Sequence, residues 1–341
     1  MAQPNSPVIS VLMSVFNTEK YLAQAVRSIL TQSHREFEFI IVNDGSTDRS
    51  MEILQHLANC DRRIRLISRG NTGVALALND GLASARGEFI ARMDSDDISL
   101  PRRLELQLAY MREHPECVAL SCQEITIDPE GWPVRLQRCP LSHEEIDSFH
   151  LKGFGGALSG PSAFMRRTAV MAVGGYRGEF TVAEDYDLWL RLAEVGRLAN
   201  LSEMLFYYRE HANGLTQSRK HQCRMLTWKA QKEAHERRKL RFDKPPPSPM
   251  DDAAPDLGLR WASMALAAGY NGTARKHAWR QFVHAPAWAP IRILVEATVR
   301  PVAEPLYDLV RGRLPRRFAR AGPANSSERV RCNTCAKVPL S

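Results

Sequence analysis

The segment EFIARMDSDDISLP, residues 88–101, decides how the rest of the chain is read. Phe89-Ile90-Ala91 is apolar and runs to Met93, as a short buried strand does. Asp94-Ser95-Asp96-Asp97 follows, with three carboxylates in four positions that repel one another and end the strand. Two readings fit. Asp-x-Asp at a strand end can present two carboxylates to one Mg²⁺ or Mn²⁺ that also takes substrate phosphate oxygens. Alternatively, Asp97 or Ser99 caps a helix that has Pro101 in its first turn. An EF-hand is excluded, because Ile98-Ser99-Leu100 does not fit its loop.

Working outward, strands alternate with helices. Val8–Phe16 reads as a buried strand, and Asn17 or Thr18 as cap of a helix over 19–30 with Leu22, Val26, Ile29 and Leu30 at helical spacing. FEFIIV (37–42) is a strand, followed by a turn and a helix capped by Ser46 or Thr47. IRLIS (64–68), a helix from about Asn71, the strand 88–93, a helix through Leu104, Leu108 and Met111, and CVALSC (117–122) continue the pattern. Such alternation predicts an α/β fold with a mostly parallel sheet, whose ligands bind beyond the carboxyl ends of the strands. Residues 123–140 read as a turn-rich excursion. Later come a short strand after GGALSGPS, a helix over VAEDYDLWLRLAEVG with Leu188, Leu192 and Val195 inward, and the strand MLFYYREH.

Three further constellations could carry chemistry. In VNDGSTD (42–48), Asp44 lies just past a strand and Gly45 permits a tight turn, so the carboxylate can accept from a nucleotide or simply cap. In AEDYDLW (183–189), Glu184, Asp185 and Asp187 open a helix, either as a general base with its neighbours or as ordinary dipole partners. In YYREH (207–211), Arg209 and His211 alternate to one face, where both could meet a diphosphate or a metal.

The order of Asn17, DGSTD, NxGVALALN, DSDD, GPS, GGY, ED and YREH resembles the family 2 glycosyltransferases over about residues 7–217. The resemblance implies the GT-A fold, a Rossmann-like sheet flanked by helices. It implies transfer of a sugar, with inversion, from a nucleotide-diphosphate sugar (a UDP-sugar is expected) to an acceptor hydroxyl, in polysaccharide, glycolipid or other cell-envelope glycan synthesis. Phe16 and Asn17 match the segment on base and ribose, Asp44 the carboxylate that reads the base, and Asn71 a residue near the nucleotide. Asp94 and Asp96 match the D-x-D pair that holds a divalent cation (Mn²⁺ or Mg²⁺), with Ser95 between them at the donor and Asp97 in the same turn. Asp185 matches the catalytic base, with Glu184 beside it. Arg209 and His211 match a segment that closes over diphosphate and metal. Two positions depart from the pattern: Ser14 replaces a common proline, and Leu78 replaces a common arginine. The competing readings are a sugar-1-phosphate nucleotidyltransferase and a non-catalytic sugar-nucleotide scaffold. No glycine-rich loop follows the first strand, which argues against the former, and the retained acids and His211 argue against the latter.

The remainder of the chain is basic. Residues 216–341 hold 24 Lys+Arg against 10 Asp+Glu, a net +14, whereas 1–215 hold 22 against 28, a net −6. A basic helix (218–242), a proline-rich linker (243–255), a helical region (256–312) and a disordered basic tail (313–341) are expected. Tryptophans interleaved with these charges fit either an anionic membrane surface near a lipid-linked acceptor or a solvated helical cap. No nucleic-acid motif is present. The 7 cysteines are scattered, and the Cys332–Cys335 pair lacks the second pair a zinc site needs. Without a signal-peptide pattern or a roughly 20-residue apolar run, a cytoplasmic protein, peripheral at most to the membrane, is expected.

Overall fold

Side chains alternate across a strand, and the first strand, β1 (Ile9–Val15), divides its own between two cores. Ile9, Val11, Met13 and Val15 enter one, and Leu12 enters the other. Strand β2 (Phe37–Asp44) does the same, with Phe37, Phe39 and Ile41 opposed to Ile40 and Val42. The computed structural model describes residues 7–248 and 256–310.

Helix α1 (Glu19–Leu30), helix α2 (Ser50–Cys60), strand β3 (Ile64–Arg69), helix α3 (Val74–Ser84) and strand β4 (Phe89–Arg92) complete the amino-terminal unit. Its strands are parallel: β2 and β4 flank β1, and β3 lies outside β2. There follow β5 (Ile98–Ser99), α4 (Arg103–Glu113), β6 (Cys117–Ile127), β7 (Pro133–Gln137), α5 (His143–Lys152), β8 (Phe164–Arg166), α6 (Arg167–Ala172), α7 (Glu184–Leu192) and β9 (Arg197–Arg209). Among the described residues one sheet runs β3-β2-β1-β4-β8-β6-β9-β5, with β7 on β6. Strand β8 is antiparallel to both β4 and β6, and β9 is parallel to β6. Helices α1, α2 and α4 cover one face through Leu22, Leu54 and Leu104, and α3, α6 and α7 the other through Leu78, Val170 and Trp189. Leu78, standing where an arginine is common, is therefore core.

Beyond the sheet lie α8 (Leu215–Ser218), α9 (Lys220–Arg237), α10 (Leu257–Ala267), α11 (Asn271–His284) and α12 (Trp288–Val310). Helix α9 packs Ala230 and Ala234 on Tyr186 and Leu190 of α7, and its end is tied down by Arg237 on Glu194 and Arg238 on Asp147. Helices α10–α12 share a small alanine-rich core. Among the described residues no helix is long and apolar enough to cross a membrane. The stretches 249–255 and 311–341, with the Cys332–Cys335 pair and the expected basic tail, lie outside the described residues.

Several local expectations are corrected. The supposed excursion 123–140 is the second half of β6 and its hairpin partner β7. Its buried polar residues hide the strand: Gln123 bonds Cys139 and Leu201, and Glu124 accepts from Ser159. Val195 lies past the end of α7 and is exposed. None of the proposed side-chain caps operates. Helices α1, α2 and α4 start after Thr18, Arg49 and Arg102, and none of these residues makes a side-chain capping bond.

Candidate active site

The polar side chains that fail to cap helices instead tie loops together at the carboxyl edge of the sheet. Asn17 adopts the left-handed region, at φ 52°. Its Oδ1 accepts from the backbone N–H of Thr47 at 2.8 Å and of Asp48 at 3.3 Å, and its own N–H donates to Ser46 Oγ at 3.1 Å. The loop after β1 is thereby fastened to the loop after β2, and Phe16 is left exposed beside them.

Asp44 is the last residue of β2 rather than part of a turn. Its carboxylate accepts the N–H groups of Thr72 at 3.1 Å and Gly73 at 2.8 Å, and Arg69 stands 3.4 Å away. It therefore organises the loop before α3, and is itself buried. Gly45 is obligatory, since its φ is +75° and a Cβ there would sit 2.6 Å from the Asn71 nitrogen. Asn71 remains exposed over this junction.

The 94–97 turn separates its three acids. Asp94 bonds Arg92 Nε at 3.1 Å, while Arg92 Nη2 reaches Glu184 at 2.9 Å. Arg92 thus joins the D-x-D turn to the amino end of α7, and it is buried at 4% exposure. Burial, reinforced by Asp96, raises the Asp94 carboxyl above its ordinary range, against the opposing pull of Arg92. Burial likewise pushes Glu184 up to about 7, with Arg92 opposing and Asp185 adding to the rise. Among the described residues Arg92 Nη1 and Asp97 Oδ2 are buried without a hydrogen-bond partner. Ser95 is also buried.

Asp96 turns the other way, its Oδ2 lying 2.9 Å from His211 Nε2. Asp97 accepts the backbone N–H of Arg209 at 2.7 Å, and Ser99 accepts from Gln32 and Arg103, so neither caps α4. Arg209, expected at the diphosphate, makes several contacts within the protein. Its guanidinium is buried and donates to the carbonyls of Asp96 (2.7 Å), Asp128 and Pro129 (3.3 Å each) and to Gln24 at 2.9 Å. It also lies over the Tyr21 ring, which contacts His211. Arg209 locks the turn in place. Among the described residues no three His, Cys, Asp or Glu side chains gather around one point. The protein offers a two-donor start, Asp96 and His211.

Asp185 is half-buried in the first turn of α7, which follows Ala183 in a left-handed conformation. Its Oδ1 accepts the Tyr186 N–H at 2.7 Å, and its Oδ2 fills the space a Cβ on Gly160 would need. Asp187, grouped with it by sequence, is instead paired to Arg177 and Arg191 and is structural. Asn79 bonds both backbone groups of Tyr176, at 2.7 and 2.9 Å, which explains why NxGVALALN and GGY belong together. Arg92 escaped the sequence reading, which held Gly160 and Tyr176 only as members of GPS and GGY, without a role. The available signal was Arg92 itself, a charge inside the apolar FIAR strand.

The model of "Glycosyl transferase family 2" matches residues 10–174. The amylovoran biosynthesis glycosyltransferase AmsE of Erwinia amylovora is 35% identical over 59% of this chain and 76% of its own length. The O-antigen biosynthesis glycosyltransferase WbnJ of Escherichia coli is 34% identical over 60% of this chain and 80% of its own. Among solved structures, residues 1–349 of S. aureus TarS with UDP-GlcNAc superpose with TM-score 0.54 at 18% identity, over 90% of this chain and 93% of that one. The Pyrobaculum calidifontis mannosyltransferase PcManGT with GDP-Man and Mn²⁺ gives 0.52 at 16% identity, over 90% and 84%. With a curled, mostly parallel sheet of GT-A type and relatives of this similarity over most of their length, the chain belongs to glycosyltransferase family 2 and is a glycosyltransferase.

Proposed function

We propose that the enzyme moves a sugar from a nucleoside-diphosphate sugar to an acceptor hydroxyl with inversion, in the synthesis of a polysaccharide or O-antigen-like glycan. The observation that carries this reading is Arg92, which bonds the donor-side Asp94 and the base-side Glu184 at once. Donor and acceptor functions therefore converge on one edge. TarS and PcManGT, solved with UDP-GlcNAc and GDP-Man, support a sugar nucleotide as donor.

In this reading Asp44, Asn71 and the exposed Phe16 receive the nucleoside. Asp96 and His211 hold a divalent cation, since a carboxylate oxygen and an imidazole nitrogen already 2.9 Å apart form a compatible donor pair. The imidazole favours Mn²⁺ over the strictly oxygen-seeking Mg²⁺. When bound, the cation offsets the negative charge that grows on the β-phosphate as the glycosidic bond breaks. Asp185 takes the proton of the attacking hydroxyl, and the amino end of α7 steadies its carboxylate. Arg92 keeps Asp94 and Glu184 from repelling Asp185, and its orphan Nη1 is available to the donor sugar. Asp97 and Arg209 hold the turn. A single base with no second nucleophile accounts for inversion.

The acceptor is a glycan or lipid-linked saccharide. An anionic membrane contact is assigned to α11 and α12, where Trp279, Val283, Trp288, Val295 and Val299 are exposed near Arg280 and Arg292. Flotation with anionic vesicles checks it. Trp288→Ser should weaken binding, and equal binding by variant and wild type sinks this part.

The donor is tested by thermal shift with UDP- and GDP-sugars, with and without Mn²⁺. Metal-dependent stabilisation by one nucleotide class is expected, and no shift with any of them overturns the donor reading.

A further inference from the structure

Two buried carboxylates next to the donor edge are held by the carboxyl-terminal helices, and neither touches the chemistry. Glu210 lies between Arg209 and His211 and is 7% exposed. Its Oε2 accepts the indole N–H of Trp261 on α10 at 2.8 Å, and its Oε1 is met by Arg260 and Gln217. Asp128, at the end of β6, is fully buried. One oxygen takes the backbone N–H groups of Glu130 and Trp132. The other takes His277 at 2.7 Å and Lys276 at 2.5 Å, both from α11. Burial alone would raise the Asp128 carboxyl, but these bonds outweigh it and hold it far below its ordinary range. Around this pair the Trp261 and His277 rings are 5.1 Å apart, and Lys276 and Arg280 also bind Glu130.

Buried ion pairs contribute little net stability compared with apolar packing, and their best-attested use is to fix register. Here the register is that of the donor edge. The Glu210 N–H donates to Ile127 at 2.9 Å, and Arg209 donates to the Asp128 carbonyl. Glu210 is thus one residue from both Arg209 and His211, and Asp128 holds Arg209 through its own carbonyl.

We propose that helices α10 and α11 position the nucleotide site. Trp261 and Arg260 on Glu210, with His277 and Lys276 on Asp128, set Arg209–His211 against the Asp94–Asp97 turn and thereby set affinity for the nucleoside diphosphate. The proposal rests on the reading of Asp96 and His211 as donor-side groups. These four helix residues are positioning residues, since they reach the donor edge through Glu210 and Asp128 and touch no reacting group.

The test uses the full chain, with UDP and GDP as probes, by calorimetry with and without Mn²⁺ and by backbone hydrogen exchange. Trp261→Phe keeps the ring and removes the N–H. Arg260→Gln changes a partly exposed side chain and keeps a donor for Glu210. His277→Leu removes a bond that His277→Gln restores. The first three should weaken Mn²⁺-dependent nucleotide binding roughly 10-fold, the scale seen when groups that orient metal ligands are lost. They should also speed exchange at 209–211 while leaving β1–β4 protected, and His277→Gln should behave as wild type. Folded variants with unchanged affinity, or with unchanged exchange at 209–211, overturn the proposal. So does a loss that His277→Gln shares. The underlying metal reading is judged separately by Asp96→Asn. If that variant keeps Mn²⁺-dependent binding, the metal assignment falls, while affinity and exchange in the helix variants still decide the positioning role.

Discussion

Arg92 has to satisfy two carboxylates from a buried position, which makes it the residue on which the edge turns. Losing one partner of a buried pair leaves the other charge uncompensated, a cost of about 3–5 kcal/mol. Arg92→Met should accordingly reduce both thermal stability and transfer, as calorimetry and a donor-hydrolysis assay would report. Asp185 should behave differently. Asp185→Asn keeps the Tyr186 bond available and should retain nucleotide binding, while transfer falls roughly 10²–10⁴-fold, the usual contribution of a general base. Full transfer by that variant refutes the assignment. Gly160→Ala offers a second route to the same group, because the new methyl occupies the place of Asp185 Oδ2. Transfer should fall with nucleotide affinity preserved, and unchanged turnover would show that Asp185 has room to move. The acidic motifs were legible because each type of chemistry needs its own side chain. Their partners were not, since Arg92, Gly160 and Glu210 acquire meaning only from neighbours far along the chain.

At the scale of elements, the strand–helix alternation over residues 8–122 was readable because β1, β2 and the first half of β6 bury almost unbroken apolar runs. The second half of β6 was not, because Gln123, Glu124 and Thr126 are polar yet buried, the first two bonded to residues outside the strand. Helix caps failed for a related reason. Asn17, Ser46 and Asp97 spend their hydrogen bonds across loops, so a rule about local capping found the right residues and the wrong partners. Asn79 is the clearest such tie, and Asn79→Ala should free the α3–α6 side of the sheet from residue 176. Both backbone groups of Tyr176 lose a partner, so a loss of about 1–3 kcal/mol is expected in urea unfolding. A change within error would mean that water replaces the amide.

For the molecule as a whole, pH should act through Glu124 as well as through the site. Burial pushes this carboxyl up to about 7, against the opposing bond from Ser159. Its folded-state value lies above its unfolded one, so the folded chain binds the proton more tightly. That contribution to stability is complete below about pH 4.5 and disappears as pH rises through 7. Glu124→Gln removes the dependence. Between pH 5 and 8 the wild type should lose up to about 3 kcal/mol that the variant keeps. Parallel unfolding curves for the two at both pH values would contradict this. Charge is also divided on the molecular scale, yet the basic excess is not simply a lipid-facing surface. Arg237 and Arg238 of α9 are taken up by Glu194 and Asp147, and Lys276 and Arg280 of α11 by Asp128 and Glu130.

The ties at the donor edge also have a consequence in time. Asp97 meets Arg209 across 112 residues, Asp96 meets His211 across 115, and Asp128 meets His277 across 149. Contacts so distant close large loops and form late in folding. In refolding, the amino-terminal parallel strands should gain protection first, and nucleotide affinity should return only in the slowest phase. The capacity to engage a charged donor would then be the last property the chain acquires, after synthesis has passed the helices near residue 277.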